Sequence, residues 1–165
     1  MSDTQPRGGH EVERQVVIRN ARDADMDRVY TIENASIREL TPLTELSSYY
    51  RIQPELFFVA EVEGVIAGFS VTVLNPNPPY HGNGHLLSIA VDPEYRRQGI
   101  GRALIKRSME VLEYNGVGKL FLEVKESNLG GQEFYSRLGF RRLGLWRRHY
   151  PDGGNAIRLV KNVRG

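Results

Sequence analysis

The apolar and polar positions of this chain change period several times, and each change predicts an element. Apolar residues crowd Gln15–Arg19, predicting a first strand, and Asn20–Asp23 reads as a turn. From Ala24 to about Ile37, Met26, Val29 and Ile32 recur at helical spacing. A second helical stretch, Thr44–Ile52, is bracketed by Pro42 and Pro54. Leu56–Val62 and Val65–Leu74 read as strands joined by a tight turn at Glu63-Gly64. Asn75–Gly84 holds three prolines and two glycines and predicts a loop. Strand character returns over His85–Val91 and stops at Asp92-Pro93.

The next helix is predicted to begin near Gly99, with Ile100, Ala103, Leu104, Val111 and Leu112 on one stripe and Arg102, Lys106, Glu110 and Glu113 off it. Asn115-Gly116 closes it, Lys119–Val124 is a strand, and Asn128–Leu138 a short helix stopped by Gly139. Arg141–His149 and Ala156–Val163 form a last strand pair around Pro151–Gly154. The sum is an α/β layered fold, one domain over residues 15–165 with a mixed, mostly antiparallel sheet flanked by helices. Residues 1–14 are polar and read as a flexible tail.

Composition narrows the chemistry. The 165 residues contain no cysteine, so disulfides, thiolate metal sites and an acyl-cysteine intermediate are excluded. No apolar run reaches the roughly 18 residues of a membrane-spanning helix, and the N-terminus lacks the apolar stretch of a signal peptide, so no membrane association and a cytoplasmic location are expected. The net charge is only +2, and no long basic run or motif supports nucleic-acid binding. Only four cations are lysines (Lys106, Lys119, Lys125 and Lys161); the rest are arginines, which suit planar contact with phosphate or carboxylate.

One stretch fits that arginine bias. Arg96-Arg97-Gln98-Gly99-Ile100-Gly101-Arg102 joins a predicted strand to an amphipathic helix. Glycines there let the backbone approach a ligand, and N–H groups at a helix N-terminus favour an anion, so a pyrophosphate is a natural guest. Glycines at this spacing also make a plain strand-to-helix turn. Two further residues carry candidate chemistry. Glu123 interrupts an otherwise apolar strand, where a carboxylate is costly unless solvated or paired. His85 opens the strand that leads to the glycine turn, and a neutral imidazole there could accept a proton. An exposed surface glutamate and an exposed strand-end histidine are the competing readings.

The glycine turn resembles the central motif of the GNAT superfamily of N-acetyltransferases, met by Arg96, Gly99 and Gly101. The likeness extends to Leu87–Tyr95, Leu122–Asn128 and Phe134–Phe140, in the family order. Within the superfamily the chain looks most like archaeal protein N-terminal acetyltransferases and bacterial ribosomal-protein alanine acetyltransferases. The resemblance implies acetyl-coenzyme A as cosubstrate, with its pantetheine arm along the backbone of Ile89, Ala90 and Val91. It sets the pyrophosphate over Arg96, Arg97, Gln98, Gly99, Ile100, Gly101 and Arg102, with Asn128 and Tyr135 as further contacts. Asn128 is also a good helix N-cap by residue type.

The same resemblance makes Glu123 the leading general base, His85 its partner on an ordered water, and Tyr135 the acid near the thioester sulfur. No metal is required, two candidate ligands being too few for a structural site. The acceptor amine is expected between the first interhelical loop and the last hairpin, beside Glu39, Thr41 and Tyr150. Thr41 stands where a pocket tyrosine is usual, His149 replaces the first of a tyrosine pair, and Gly154-Asn155 replaces an acidic pair. The implied partner is a peptide or protein N-terminus, with ribosome association or a homodimer left open. A small-molecule amine such as a polyamine, antibiotic or amino acid is the alternative acceptor, and a non-catalytic acyl-coenzyme A-binding module a third reading.

Overall fold

The structure is a computed structural model describing residues 14–36, 43–75 and 82–164. In chain order its elements are β1 (Val16–Asn20), α1 (Met26–Ser36), α2 (Leu43–Ile52), β2 (Phe57–Val62), β3 (Val65–Asn75), β4 (Asn83–Val91), α3 (Ile100–Tyr114), β5 (Lys119–Lys125), α4 (Leu129–Arg137), β6 (Arg141–Trp146) and β7 (Ala156–Asn162). The strands make one sheet in the order β1-β2-β3-β4-β5-β7-β6. Every neighbouring pair is antiparallel except β4 and β5. This is the mixed α/β architecture that the periodicity predicts.

Three boundaries differ from expectation. Leu56 closes a single 3-10 turn instead of starting β2. The β3–β4 ladder runs out to Asn75 and Asn83, because backbone pairing takes polar residues as readily as apolar ones. The strand expected over Arg141–His149 stops at Trp146, where Arg148 adopts a positive φ of 51°.

Strand β2 shows why both sheet faces are covered. Phe57 and Val59 pack with Phe69 and Val71 under Met26, Val29 and Ile32 of α1. The alternate residues Phe58, Ala60 and Val62 pack with Ala67 under Ile100 and Leu104 of α3. A strand buried on both faces reads as a nearly unbroken apolar run, as this one does. Under α3 the core continues through Leu86, Ile105, Leu112, Leu120 and Leu122 to Phe140.

The feature that matters most for function is a discontinuity. Val71 pairs with Ser88 but Thr72 pairs with Leu86, so Leu87 is an extra residue in β4. A bulge of this kind bends the strand that carries it. Pairing of β4 with β5 is confined to Gly84–Leu120 and His85–Phe121. The two strands therefore meet at their starts and part at the bulge, leaving a wedge between them.

A partly buried ionic cluster ties β1 to the turn that leads into α1. Arg19 donates to both oxygens of Asp25, at 2.7 and 3.0 Å, and its Nε donates to Glu61 at 2.8 Å. Burial pushes the Asp25 carboxyl up, but Arg19 and the Arg22 backbone N–H outweigh it, and the net value lies below the ordinary 3.8. The carboxylate's contribution to stability is thus complete above pH 3.8 and is lost as pH falls through the lower folded value. Arg19→Met should cost about 1–3 kcal/mol near neutrality, the scale of hydrogen bonds between charged groups. Urea unfolding should show that loss shrinking as the pH drops below the ordinary value. An equal loss at neutral and strongly acid pH would mean that the pair contributes nothing beyond packing.

Candidate active site

The apex of the wedge holds an acid–imidazole pair. His85 lies in the run of β4 that is flanked on both sides, by Val73 on β3 and Phe121 on β5. Glu123 lies two residues beyond Phe121, on the same face of β5 and where the strands have parted. The Nε2 of His85 is 2.5 Å from Oε2 of Glu123, and the side chains are only 13% and 10% exposed. An exposed strand-end histidine and a surface glutamate are therefore both ruled out. An ionised carboxylate only accepts, so with Glu123 ionised the imidazole carries a proton on Nε2 and donates it to Glu123. The Nδ1 of His85 is buried. The two groups touch directly, where the resemblance implies that they meet on a water.

Tyr135 sits on α4, edge-on to Phe134 and Phe140, with ring centroids 5.1 and 5.6 Å away. Burial first, and then nearby Tyr150, push its phenol well above the ordinary value of 10, so it keeps its proton at any physiological pH.

The glycine turn is shaped for an anion. Arg97 and Gly99 both adopt left-handed backbone, with φ of 64° and 75°, and a Cβ on Gly99 would meet nothing within 4 Å. Ala103 is the first residue to donate into α3, to the Gly99 carbonyl at 3.0 Å. The N–H groups of Ile100, Gly101 and Arg102 thus belong to the helix's open first turn, where the dipole favours negative charge. Arg97, Gln98 and Arg102 are exposed beside it. This fits a pyrophosphate, and the parted edge of β4 fits an extended arm lying along it.

The side chains of the expected cofactor residues divide. Ile100 and Ala90 are buried in the core, at 2% and 6% exposure, so only their backbone is available to a ligand. Arg96 is turned back onto β4, its Nε donating to the Val91 carbonyl at 3.3 Å. Asn128 caps α4, accepting from the Gly131 N–H at 2.9 Å. Ile89 and Val91 are half-buried on the α3 side.

Among the residues that the resemblance sets beside the acceptor, Tyr150 lies edge-on to His149 at 4.9 Å, with the Lys125 ammonium 5.4 Å from its ring centre. Glu39 and Thr41 lie outside the described residues. Among the described residues no three His, Asp or Glu side chains cluster as a metal site would need. No described helix is long and apolar enough to cross a membrane.

Two features escape a reading of the sequence. Glu33 on α1 is 1% exposed and accepts from the Ser88 hydroxyl at 3.2 Å, just beyond the bulge. Its signal was present, because Glu33 is four residues from Val29 and so falls on the buried stripe of the helix. Trp146 and Arg158 stack on the sheet face beside Glu123, and nothing in the local pattern marks that pairing.

A sheet parted at a bulge, a glycine-rich helix turn at its rim and a carboxylate–imidazole pair at its apex fit an acyl-coenzyme A-dependent transferase. The model of the Acetyltransferase (GNAT) family matches residues 25–140, and the chain belongs to that family. It is an N-acetyltransferase with acetyl-coenzyme A as its cosubstrate. It is 35% identical to an N-alpha-acetyltransferase of Sulfurisphaera tokodaii over 151 residues, 87% of this chain and 90% of that protein. Among solved structures it superposes on Ard1 from Thermoplasma volcanium with a TM-score of 0.83 at 27% identity, covering 91% of this chain and 99% of that one. It also matches the ribosomal-protein-S18-alanine N-acetyltransferase from Escherichia coli, with a TM-score of 0.76 at 32% identity over 90% and 94% of the two chains.

Proposed function

We propose that this enzyme acetylates the N-terminal α-amino group of proteins or peptides, by direct transfer within a ternary complex. The observation that carries the reading is the His85–Glu123 contact at the apex of the wedge, between the parted edge of β4 and the final hairpin. An amine entering beside Tyr150 reaches the pair from one side, and a thioester lying along β4 reaches it from the other. The likeness to the Sulfurisphaera N-alpha-acetyltransferase and the Escherichia alanine acetyltransferase supports a peptide acceptor.

In this reading Glu123 accepts the amine proton. A free α-amine has a pKa of ~8 and is mostly protonated at neutral pH, so it must lose a proton before it attacks. The Glu123 carboxylate, held against His85 at 2.5 Å, is the accepting group, directly or through a water. His85 holds the carboxylate in place. The amine nitrogen then bonds to the thioester carbonyl carbon and, cationic once bonded, gives up a second proton to solvent as the carbon–sulfur bond breaks to release the coenzyme A thiolate. Backbone N–H groups alternate between the two edges of a strand, so within Ile89 to Val91 those directed away from β3 are the candidate oxyanion donors. A phenol held above 10 is a weaker acid than a thiol of ~8.5. Tyr135 therefore supports the departing sulfur by donating a hydrogen bond, and the thiolate is protonated in exchange with solvent. Arg97, Gln98, Arg102 and the N–H groups of Ile100 to Arg102 hold the pyrophosphate, with Asn128 beside the pantetheine arm.

Mass spectrometry of a peptide library varied at its first two residues, incubated with acetyl-coenzyme A, tests the acceptor. Peptides beginning with Ser or Ala should gain one acetyl group at the α-amine, because small side chains make the least demand on the pocket. Turnover of polyamines or free amino acids with every peptide untouched overturns the reading.

A further inference from the structure

Strand β4 changes its facing at the bulge. Before Leu87 the even-numbered positions face α3: Leu86 packs with Ile105 and Leu112, and a Cβ on Gly84 would meet Leu112 at 2.8 Å. After Leu87 they face α1: Ala90 packs with Val29 and Ile32, and the Ser88 hydroxyl donates to Glu33 at 3.2 Å. Ile89 and Val91 take the α3 side, against Ile100 and Leu104. A regular strand alternates strictly, so residues three apart face opposite ways. His85 and Ser88 share the α1 face only because Leu87 is extra.

Glu33 stands where that change of facing can be held. It is 1% exposed, on a helix whose other inward residues, Met26, Val29 and Ile32, are apolar, and Ser88 is 9% exposed. A carboxyl group is costly to bury and is kept in such a place by hydrogen-bonded partners. Slipping the far half of β4 by one residue would turn Ser88 into the core under α3 and take this donor away from Glu33. The contact therefore favours the bulged register over the regular one.

The bulge also divides the site. His85 lies before it, paired with Glu123 where β4 meets β5, and the backbone of Ile89 to Val91, along which the thioester is proposed to lie, comes after it. We propose that Glu33 is a positioning residue of the transfer: through Ser88 it pins the bulge of β4 and so sets the distance from the His85–Glu123 pair to the thioester carbonyl. The proposal rests on that placing of base and thioester, whichever amine is the acceptor. A misplacement of about 1 Å between reacting groups can cost about 100-fold in rate.

Glu33→Leu, Glu33→Gln, Ser88→Ala and the double variant Glu33→Leu/Ser88→Ala test the pin, with Glu123→Gln run alongside on the acceptor that the wild type turns over best. Glu33→Leu and Ser88→Ala should each lower kcat by ~10–100-fold. Acetyl-coenzyme A affinity by calorimetry should stay near that of the wild type, because the glycine turn is untouched. Gln offers the same hydroxyl an amide oxygen, so Glu33→Gln should keep most of the rate. Stability separates positioning from packing. Replacing both members of a buried polar pair by apolar groups is nearly neutral, so the double variant should recover the Tm that the single variants lose, and none of the rate. Ser88→Ala is a small deletion and keeps the test open where Glu33→Leu folds poorly. Wild-type kcat in Ser88→Ala or Glu33→Leu, a loss in Glu33→Gln equal to that in Glu33→Leu, or a double variant whose rate recovers with its Tm overturns the pin and leaves the base standing. A full rate in Glu123→Gln overturns the base and the pin with it.

Discussion

Glu123→Gln and His85→Ala are each expected to lower kcat by ~10–100-fold, the range for acid–base groups. The double variant should lose far less than the product of the two, because the side chains touch at 2.5 Å and act as a unit. Gln keeps the shape of Glu123 and a hydrogen bond to His85 but cannot take a proton from the amine. Ala at position 85 removes the side chain that holds the carboxylate in place. Neither change reaches the glycine turn, so acetyl-coenzyme A affinity measured by calorimetry should stay near that of the wild type. Raising the pH should recover part of the lost rate, because an α-amine with a pKa of ~8 then deprotonates unaided. Losses that multiply fully in the double variant would assign the residues independent tasks. Wild-type rates there would leave the wedge without its base.

Gly101→Asp should weaken acetyl-coenzyme A binding by ~100-fold or more, since placing like charges together costs several kcal/mol. The structure adds a second reason. A Cβ at Gly101 would come within 3.1 Å of the Phe134 ring on α4, so the new side chain presses on the helix that carries Tyr135. Thermal unfolding should register that pressure as a lower Tm. Gly101→Asn separates the two effects, having nearly the same shape without the charge. Both variants should lose stability, while Asn should bind acetyl-coenzyme A about 10-fold or more tightly than Asp, a difference of ~1.4 kcal/mol. Equal and unchanged affinity in the two folded variants would remove the phosphate from this turn.

Gly101 shows how far a sequence argument reaches. Its place between a strand and an amphipathic helix marks a ligand-binding turn, and its missing side chain suggests clearance for a phosphate. The clearance that the fold enforces most tightly is instead toward Phe134, 33 residues away, and the open side belongs to Gly99. Asn128 is a similar case. Its residue type allows both a cap and a cofactor contact, and the structure displays the cap.

Element type was legible throughout because it depends on local spacing. A helix such as α3 buries one face whenever apolar residues recur three and four positions apart, whatever it packs against. A strand such as β2, buried on both sides, is apolar throughout. Those patterns, with the order of the motifs, determined the α/β class and the GNAT resemblance before any coordinate was known.

The wedge was decided only in three dimensions. Leu87 becomes a bulge because Val71 and Thr72 choose their partners across the sheet, and no residue of the strand itself announces the slip. The same register, together with the early end of β4–β5 pairing, brings His85 to Glu123 across 38 positions of chain. It also sets Arg158 beside Glu123 and Trp146, and seats Glu33 against Ser88. Local periodicity states which face of an element is buried; long-range register states which side chains meet on it, and the chemistry depends on the meeting.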